Sequence, residues 1–204
     1  MIKAIIFDLG NVLIDFDHMI AARRISHFCK KSPQEIFSLF FESEVTLLFE
    51  QGKISPDDFF LRVKDMLALS INYQTFVPIW NEIFFQSAKN RTVFNIANIL
   101  SGGYKVVVLS NINTLHFEYV KKHFPIFGIF SRVFASCEMG LIKPDPAIYR
   151  KVLDDLDLAP GESFYTDDRK ELVASARKLG IKAAVFGGSK ELKKDLETEG
   201  INCG

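Results

Sequence analysis

The chain has 204 residues, 48% hydrophobic and 25% charged, enough for one well-buried core, or a core with a small insert, of a soluble protein. Its 25 basic and 25 acidic residues give a formal net charge of +0, which removes any global field favouring nucleic acid or an anionic membrane. The three cysteines (Cys29, Cys137, Cys203) form no CxxC or disulfide framework, so a reducing, cytoplasmic location is expected.

Ala4 to Phe7 is a short apolar run bounded by a turn and reads as a strand buried on both faces. Asp8 stands where that strand stops, followed by Gly10 and Asn11, which tolerate a tight turn. Ligands of parallel α/β sheets bind at the carboxyl ends of strands, so Asp8 is a metal ligand, a nucleophile or a turn-former. It also interrupts the apolar run, and no small-residue cleavage site follows, so no signal peptide is expected. No stretch reaches the roughly 18 apolar residues of a membrane span.

Residues 17–89 read as helical with no strand. His18 to Lys30 is the first helix. Ser32-Pro33-Gln34-Glu35 opens the second, with a Ser cap, Pro at the first position and Glu at the third. Ser55-Pro56-Asp57-Asp58 repeats that logic for the third, and Thr75 to Phe85 is the fourth, with Pro78 near its start or kinking it. Phe37, Phe40, Phe41, Phe49, Phe59 and Phe60 fall within this bundle and are expected to fill its core rather than line a pocket.

After residue 90 helices and strands alternate. Arg91 to Leu100 is a helix, Lys105 to Leu109 a strand, Thr114 to His123 a helix and Arg132 to Ala135 a strand. Pro146 to Leu156 is a helix, Ser163 to Thr166 a strand, Arg169 to Leu179 a helix, Lys182 to Phe186 a strand and Ser189 to Glu199 a helix. Such alternation predicts an α/β fold, a doubly wound parallel sheet covered on both faces. Residues 1–16 and 90–204 would form this core, and 17–89 a four-helix cap inserted after the first strand, over the strand ends.

Three further segments carry polar groups at strand ends. Ser110 and Asn111 close the run Val106-Val107-Val108-Leu109, where they either cap the next helix or bind an anion. Lys143 precedes Pro144-Asp145-Pro146 on stiff, non-helical backbone, and its compact ammonium suits neutralising a phosphoryl group or a nucleophilic carboxylate. Asp167 and Asp168 end a third strand. Adjacent acids repel, and their hard oxygens suit Mg²⁺, although either can instead cap the following helix.

Asp8, Ser110, Lys143 and Asp167-Asp168, in that order and spacing, closely resemble the haloacid dehalogenase-like (HAD) hydrolase superfamily across essentially the whole chain. The Phe7-Asp8-Leu9-Gly10-Asn11-Val12-Leu13 form is similar to a bacterial branch that includes α-D-glucose-1-phosphate phosphatase. The resemblance implies a Rossmann-like core and an Mg²⁺-dependent phosphatase of a small phosphorylated metabolite. A sugar phosphate is the preferred class, with no role for nucleic acid or membrane. Asp8 would be the nucleophile, Ser110 and Asn111 would hold the phosphoryl group, and Lys143 would neutralise it. Asp8, the Gly10 carbonyl, Asp168 and the neighbouring Asp167 would surround the metal.

One departure stands out. Phosphatases of this superfamily usually carry a second Asp where this chain has Gly10, and a Gly where it has Asn11. That second Asp protonates the leaving alcohol and later activates water. Asp15 is no obvious substitute, because ordinary family members also carry an Asp there; Asp17 or His18 could reach in from the cap edge. The missing acid keeps two other readings open: a non-catalytic binding or regulatory protein on this scaffold, and a metal-independent 2-haloacid dehalogenase, in which Asp167-Asp168 would have no function.

Overall fold

The computed structural model describes residues 1–202, apart from the side chains of residues 40–42. The elements run β1 (Ala4–Phe7), β2 (Asp15–Phe16), α1 (His18–Ile25), α2 (Pro33–Glu42), α3 (Glu44–Glu50), α4 (Pro56–Leu67), α5 (Tyr73–Asn81) and β3 (Phe84–Phe85). They continue with α6 (Ala88–Leu100), β4 (Lys105–Ser110), α7 (Thr114–His123), β5 (Arg132–Ala135), α8 (Ser136–Met139) and α9 (Pro146–Leu156). The last are β6 (Ser163–Asp167), α10 (Lys170–Lys178), β7 (Lys182–Val185) and α11 (Ser189–Thr198).

Five parallel strands form one sheet in the order β5-β4-β1-β6-β7, so the expected doubly wound architecture is present with β1 at its centre. Alternate residues of each central strand enter opposite cores, as the pleat requires. Ile5, Phe7, Val106 and Val108 meet Val93 and Ile96 of α6, Phe117 of α7 and Leu192 of α11. Ala4, Ile6, Val107 and Leu109 meet Ile148 and Val152 of α9 and Ala176 of α10. Burial on both faces explains why these strands are apolar runs rather than alternations. Phe7 pairs with Val108 and with Thr166, a register that brings the ends of β1, β4 and β6 together.

Between residues 17 and 87 the structure holds five α-helices, not four. Ser43 takes an extended conformation and caps Thr46, so the chain breaks after α2 and restarts as α3. The expectation of no strand in this segment also fails. Helix α5 ends at Asn81, and Phe84–Phe85 pairs antiparallel with Asp15–Phe16. A two-residue strand carries no periodicity, and this one exists only because the chain's outward and return crossings meet in space. Pro78 lies inside α5, which starts at Tyr73 behind an Asn72 cap. The Ser32 capping box and the Ser55 cap form as the sequence indicates.

These helices share their own apolar cluster. Phe49 stacks on Phe59 at 4.2 Å between ring centroids, and Phe59 meets Trp80 at 4.9 Å. Phe49, Phe59 and Phe60 are buried there, with Phe37 packed against them. The Phe40 and Phe41 side chains and Cys203 lie outside the described residues.

Helix α3 packs against α8, just after β5. The Ser136 hydroxyl donates to the Glu50 carbonyl at 2.6 Å and accepts from the Ile112 N–H at 2.9 Å. Next to it Gly52 has a φ of +66°, and a Cβ there would lie 2.0 Å from the Cys137 carbonyl oxygen. Gly52→Ala therefore meets both a left-handed backbone and a backbone collision. It should cost about 2 kcal/mol or more of unfolding free energy, read by urea denaturation. An unchanged midpoint would show that α3 is not held this closely.

Candidate active site

Asp8 follows directly on β1, and its N–H donates to the Thr166 carbonyl at 2.9 Å. The register sets it beside the end of β4, which carries Ser110, and the end of β6, which carries Asp167. Lys143 reaches this point from the loop before α9. Its ammonium donates to Asp8 Oδ1 and Asp167 Oδ2, both at 2.7 Å. It also donates to the Leu109 carbonyl and the Tyr165 hydroxyl, both at 3.1 Å.

Asn111 holds the Lys143 backbone from both sides. Its Nδ2 donates to the Lys143 carbonyl at 2.9 Å, and its Oδ1 accepts from the Lys143 N–H at 2.8 Å. The Asn111 side chain thus positions the lysine, while the residue still lines the cavity. The Ser110 hydroxyl is buried, faces the cavity and has no hydrogen-bond partner among the described residues.

The two adjacent aspartates divide their work. Asp167 is fully buried, with both oxygens committed: Oδ2 to Lys143 and the Tyr165 hydroxyl, Oδ1 to the Arg169 N–H at 2.9 Å. Asp168 accepts from Asn11 Nδ2 at 2.9 Å through one oxygen and leaves the other open. Asp8, Asp167 and Asp168 each present an oxygen within 4.8 Å of the others. Gly10 lines the same cavity. Ionised, three carboxylates against one ammonium leave two negative charges in excess, which one divalent cation balances. All donors are hard oxygens, so the residues fit Mg²⁺. With Asp167 saturated by protein donors, the open oxygens are those of Asp8 and Asp168.

Charge and burial compete here. Burial pushes the Asp8 carboxyl up to about 7 against the pull of Lys143, and Asp167 and Asp168 push it further the same way. Burial also opposes the Lys143 charge, but Asp8 and Asp167 outweigh it and hold the ammonium above its usual range. Asp168 is raised by burial, with the Asn11 hydrogen bond opposing.

Of the two turn residues, Asn11 and not Gly10 takes the left-handed conformation, at φ 56°. A Cβ on Gly10 would lie 2.6 Å from Phe16 Cε1, so an aromatic ring occupies the space that a side chain at this position would take. Asp15 bonds Lys89 at 2.6 Å and Asn90 at 3.1 Å, and Lys89 also donates to the Asn11 carbonyl at 2.7 Å. Asp17 caps α1 through the Met19 N–H at 2.8 Å and does not reach the site. His18 does line the cavity.

The cavity measures about 500 Å³, within the usual range for a small-molecule site. Its apolar walls include Phe16, Leu47, Trp80 and Phe84, whereas Phe37, Phe49, Phe59 and Phe60, expected to be core, are not among its lining residues. Sequence reasoning missed Tyr165, Asn11, Phe16 and Glu50. Only Tyr165 and Asn11 had a legible signal, as polar groups beside strand-end acids.

The family described as haloacid dehalogenase-like hydrolase matches residues 5–186. The chain is 24% identical over 187 residues to D-ribitol-5-phosphate phosphatase of Bacteroides thetaiotaomicron, covering 89% of this chain and 90% of that protein. It is 26% identical over 180 residues to sesquiterpene phosphatase astK of Aspergillus oryzae, covering 88% and 87%. It is also 25% identical to drimenol cyclase drtB of Aspergillus calidoustus over 96% of this chain, but spans only 36% of that protein's length. Among solved structures, a HAD family enzyme of Bacteroides thetaiotaomicron in complex with magnesium and inorganic phosphate superposes with a TM-score of 0.80 at 27% identity, covering 91% of this chain and 94% of that one.

Two outcomes follow from this geometry. A carboxyl raised from 3.8 to about 7 stabilises the fold fully below the lower value and loses that contribution as pH rises through the upper one. Metal-free protein should thus lose melting temperature between about pH 5 and 7, and Mg²⁺ should restore it by an increment that grows over the same interval. Thermal melts with and without Mg²⁺ read this; an increment independent of pH would remove Asp8 from the metal site. Separately, Gly10→Asp alone should destabilise by about 1–3 kcal/mol through its collision with Phe16. Adding Phe16→Ser should recover most of that loss in the same denaturation assay.

Proposed function

The chain belongs to the haloacid dehalogenase-like hydrolase family, and from that premise we propose an Mg²⁺-dependent phosphatase acting on a small phosphorylated metabolite through an aspartyl-phosphate on Asp8. The observation that carries this reading is the Lys143 ammonium bridging Asp8 and Asp167 at 2.7 Å, beside an unpartnered Ser110 hydroxyl and an open Asp168 oxygen. A carboxylate fixed through Oδ1 keeps Oδ2 directed for attack, and near-attack orientation accounts for much of a phosphoryl-transfer rate.

In this reading Asp8 Oδ2 attacks phosphorus, Ser110 holds a phosphoryl oxygen, and the Lys143 charge neutralises the phosphoryl group from beside Asp8. Asn111 keeps Lys143 in place through its backbone. Asp8, the Gly10 carbonyl and Asp168 would hold Mg²⁺, which when bound supplies positive charge to the phosphoryl group. The excess negative charge and the tightly used Asp167 weigh against a metal-free dehalogenase. No helix among the described residues is long and apolar enough to cross a membrane. With three cysteines and no disulfide framework, a cytoplasmic location is the consistent proposal.

A sugar or polyol phosphate is the preferred substrate. Thr46, His18 and Glu50 offer polar contacts for its hydroxyls from the cap side, and a relative is named for ribitol 5-phosphate. The apolar walls favour a second reading, a phosphate ester of an apolar alcohol, for which the sesquiterpene phosphatase relative is the parallel. A panel of sugar, polyol and isoprenoid monophosphates with Mg²⁺ separates the two. On the best substrate, EDTA should stop turnover and Asp8→Asn should lower it by roughly 10³-fold or more, measured on protein shown to be folded by circular dichroism. Near wild-type hydrolysis by Asp8→Asn would overturn the covalent mechanism.

A further inference from the structure

With Gly10 and Phe16 closing the usual position of the acid, the proton needed by a leaving alkoxide must come from elsewhere. We propose that Glu50, at the end of α3, is the general acid and base of this site, delivered from the cap side; this rests on the phosphatase reading above. Three observations place it. Glu50 lines the same cavity as Asp8, Ser110 and Asp168. The Ser136 contact to its own carbonyl and the close fit of Gly52 against Cys137 fix its backbone to the sheet domain. Its carboxyl has no hydrogen-bond or ion-pair partner among the described residues, so it is free to serve a substrate.

The other ionisable groups of the cavity are unsuited. Asp167 is saturated, and Lys143 is committed to Asp8 and Asp167. Asp168 belongs to the metal side. Burial pushes His18 down to about 4 and His116 to about 3, so both are neutral at pH 7; His116 is also held by Asn113 and the Trp80 carbonyl. Arg169 is paired with Glu171 at 2.6 Å. Glu50 is different: burial pushes it up to about 7, while Arg169 from the start of α10 and Lys143 from the loop before α9 pull it down. A carboxyl near the working pH can give and take a proton.

The steps balance. Asp8 bonds phosphorus, the bond from phosphorus to the leaving oxygen breaks, and the Glu50 proton passes to that oxygen. Water then bonds phosphorus, the Asp8–phosphorus bond breaks with its electron pair returning to Asp8, and Glu50 accepts the water proton as inorganic phosphate forms.

The test is Glu50→Gln in the Mg²⁺-loaded protein, compared on phenyl phosphate, a poor leaving group, and p-nitrophenyl phosphate, a good one. In single turnover the variant should transfer phosphate from phenyl phosphate roughly 100-fold more slowly, while its p-nitrophenolate burst stays within about threefold of wild type. The descending limb of the wild-type pH profile for phenyl phosphate, where the acid loses its proton, should disappear in the variant, while the ascending limb set by Asp8 remains. Adding Gly10→Asp with Phe16→Ser should restore at least about tenfold on phenyl phosphate by supplying a carboxylate at the vacated position. If Glu50→Gln melts early, Glu50→Asp must show the same selective loss. Equal slowing of both esters, or slowing of neither, overturns the proposal. A wild-type protein inactive on both overturns the phosphatase reading itself, and this inference with it.

Discussion

The site depends on one buried ammonium between two carboxylates. Lys143 is 3% exposed, and its charge is tolerable there only because Asp8 and Asp167 flank it at 2.7 Å. Breaking such a group is far costlier than its net contribution to stability, since an unpaired buried charge remains. The surrounding structure serves this constraint. Asn111 fixes the lysine backbone, Tyr165 and the Arg169 N–H saturate Asp167, and the strand register brings all three chain segments to one point. The consequence is functional: Asp8 has one oxygen fixed and one available, and the residual negative charge invites a divalent cation.

A second constraint joins the helices of residues 18–81 to the sheet. The outward and return crossings are tied by the β2–β3 pair and by Lys89, which binds both Asp15 and the Asn11 carbonyl. Burial opposes the Asp15 charge, but hydrogen bonds from Lys89, Ser87 and Asn90 hold its carboxyl below the usual range. On the other side α3 is held by Ser136 and by the absence of a side chain at Gly52. The turn that presents Asp8 and the helix that presents Glu50 are therefore both anchored, and the cavity between them has defined walls.

The pairing of Gly10 with Phe16 links sequence to mechanism. Gly10 is not demanded by a left-handed backbone, since that role falls to Asn11. It is demanded by the Phe16 ring. Aromatic surface fills the space beside Gly10, which makes the cavity floor less polar and places the proposed proton chemistry away from the turn.

Much was legible in the sequence, for identifiable reasons. Strands buried on both faces appear as unbroken apolar runs, helix starts carry their own capping residues, and polar groups at strand ends mark the edge where ligands bind. These local signals determined the α/β alternation and singled out Asp8, Ser110, Lys143, Asp167 and Asp168. Asn111 was found too, but the bond from its amide to the Lys143 backbone was not legible, because it depends on a contact 32 residues away. The break at Ser43, the two-residue strands, the ring of Phe16 beside Gly10 and the arrival of Glu50 over the site carry no local period. They arise where segments remote in sequence meet, and only the tertiary structure decided them.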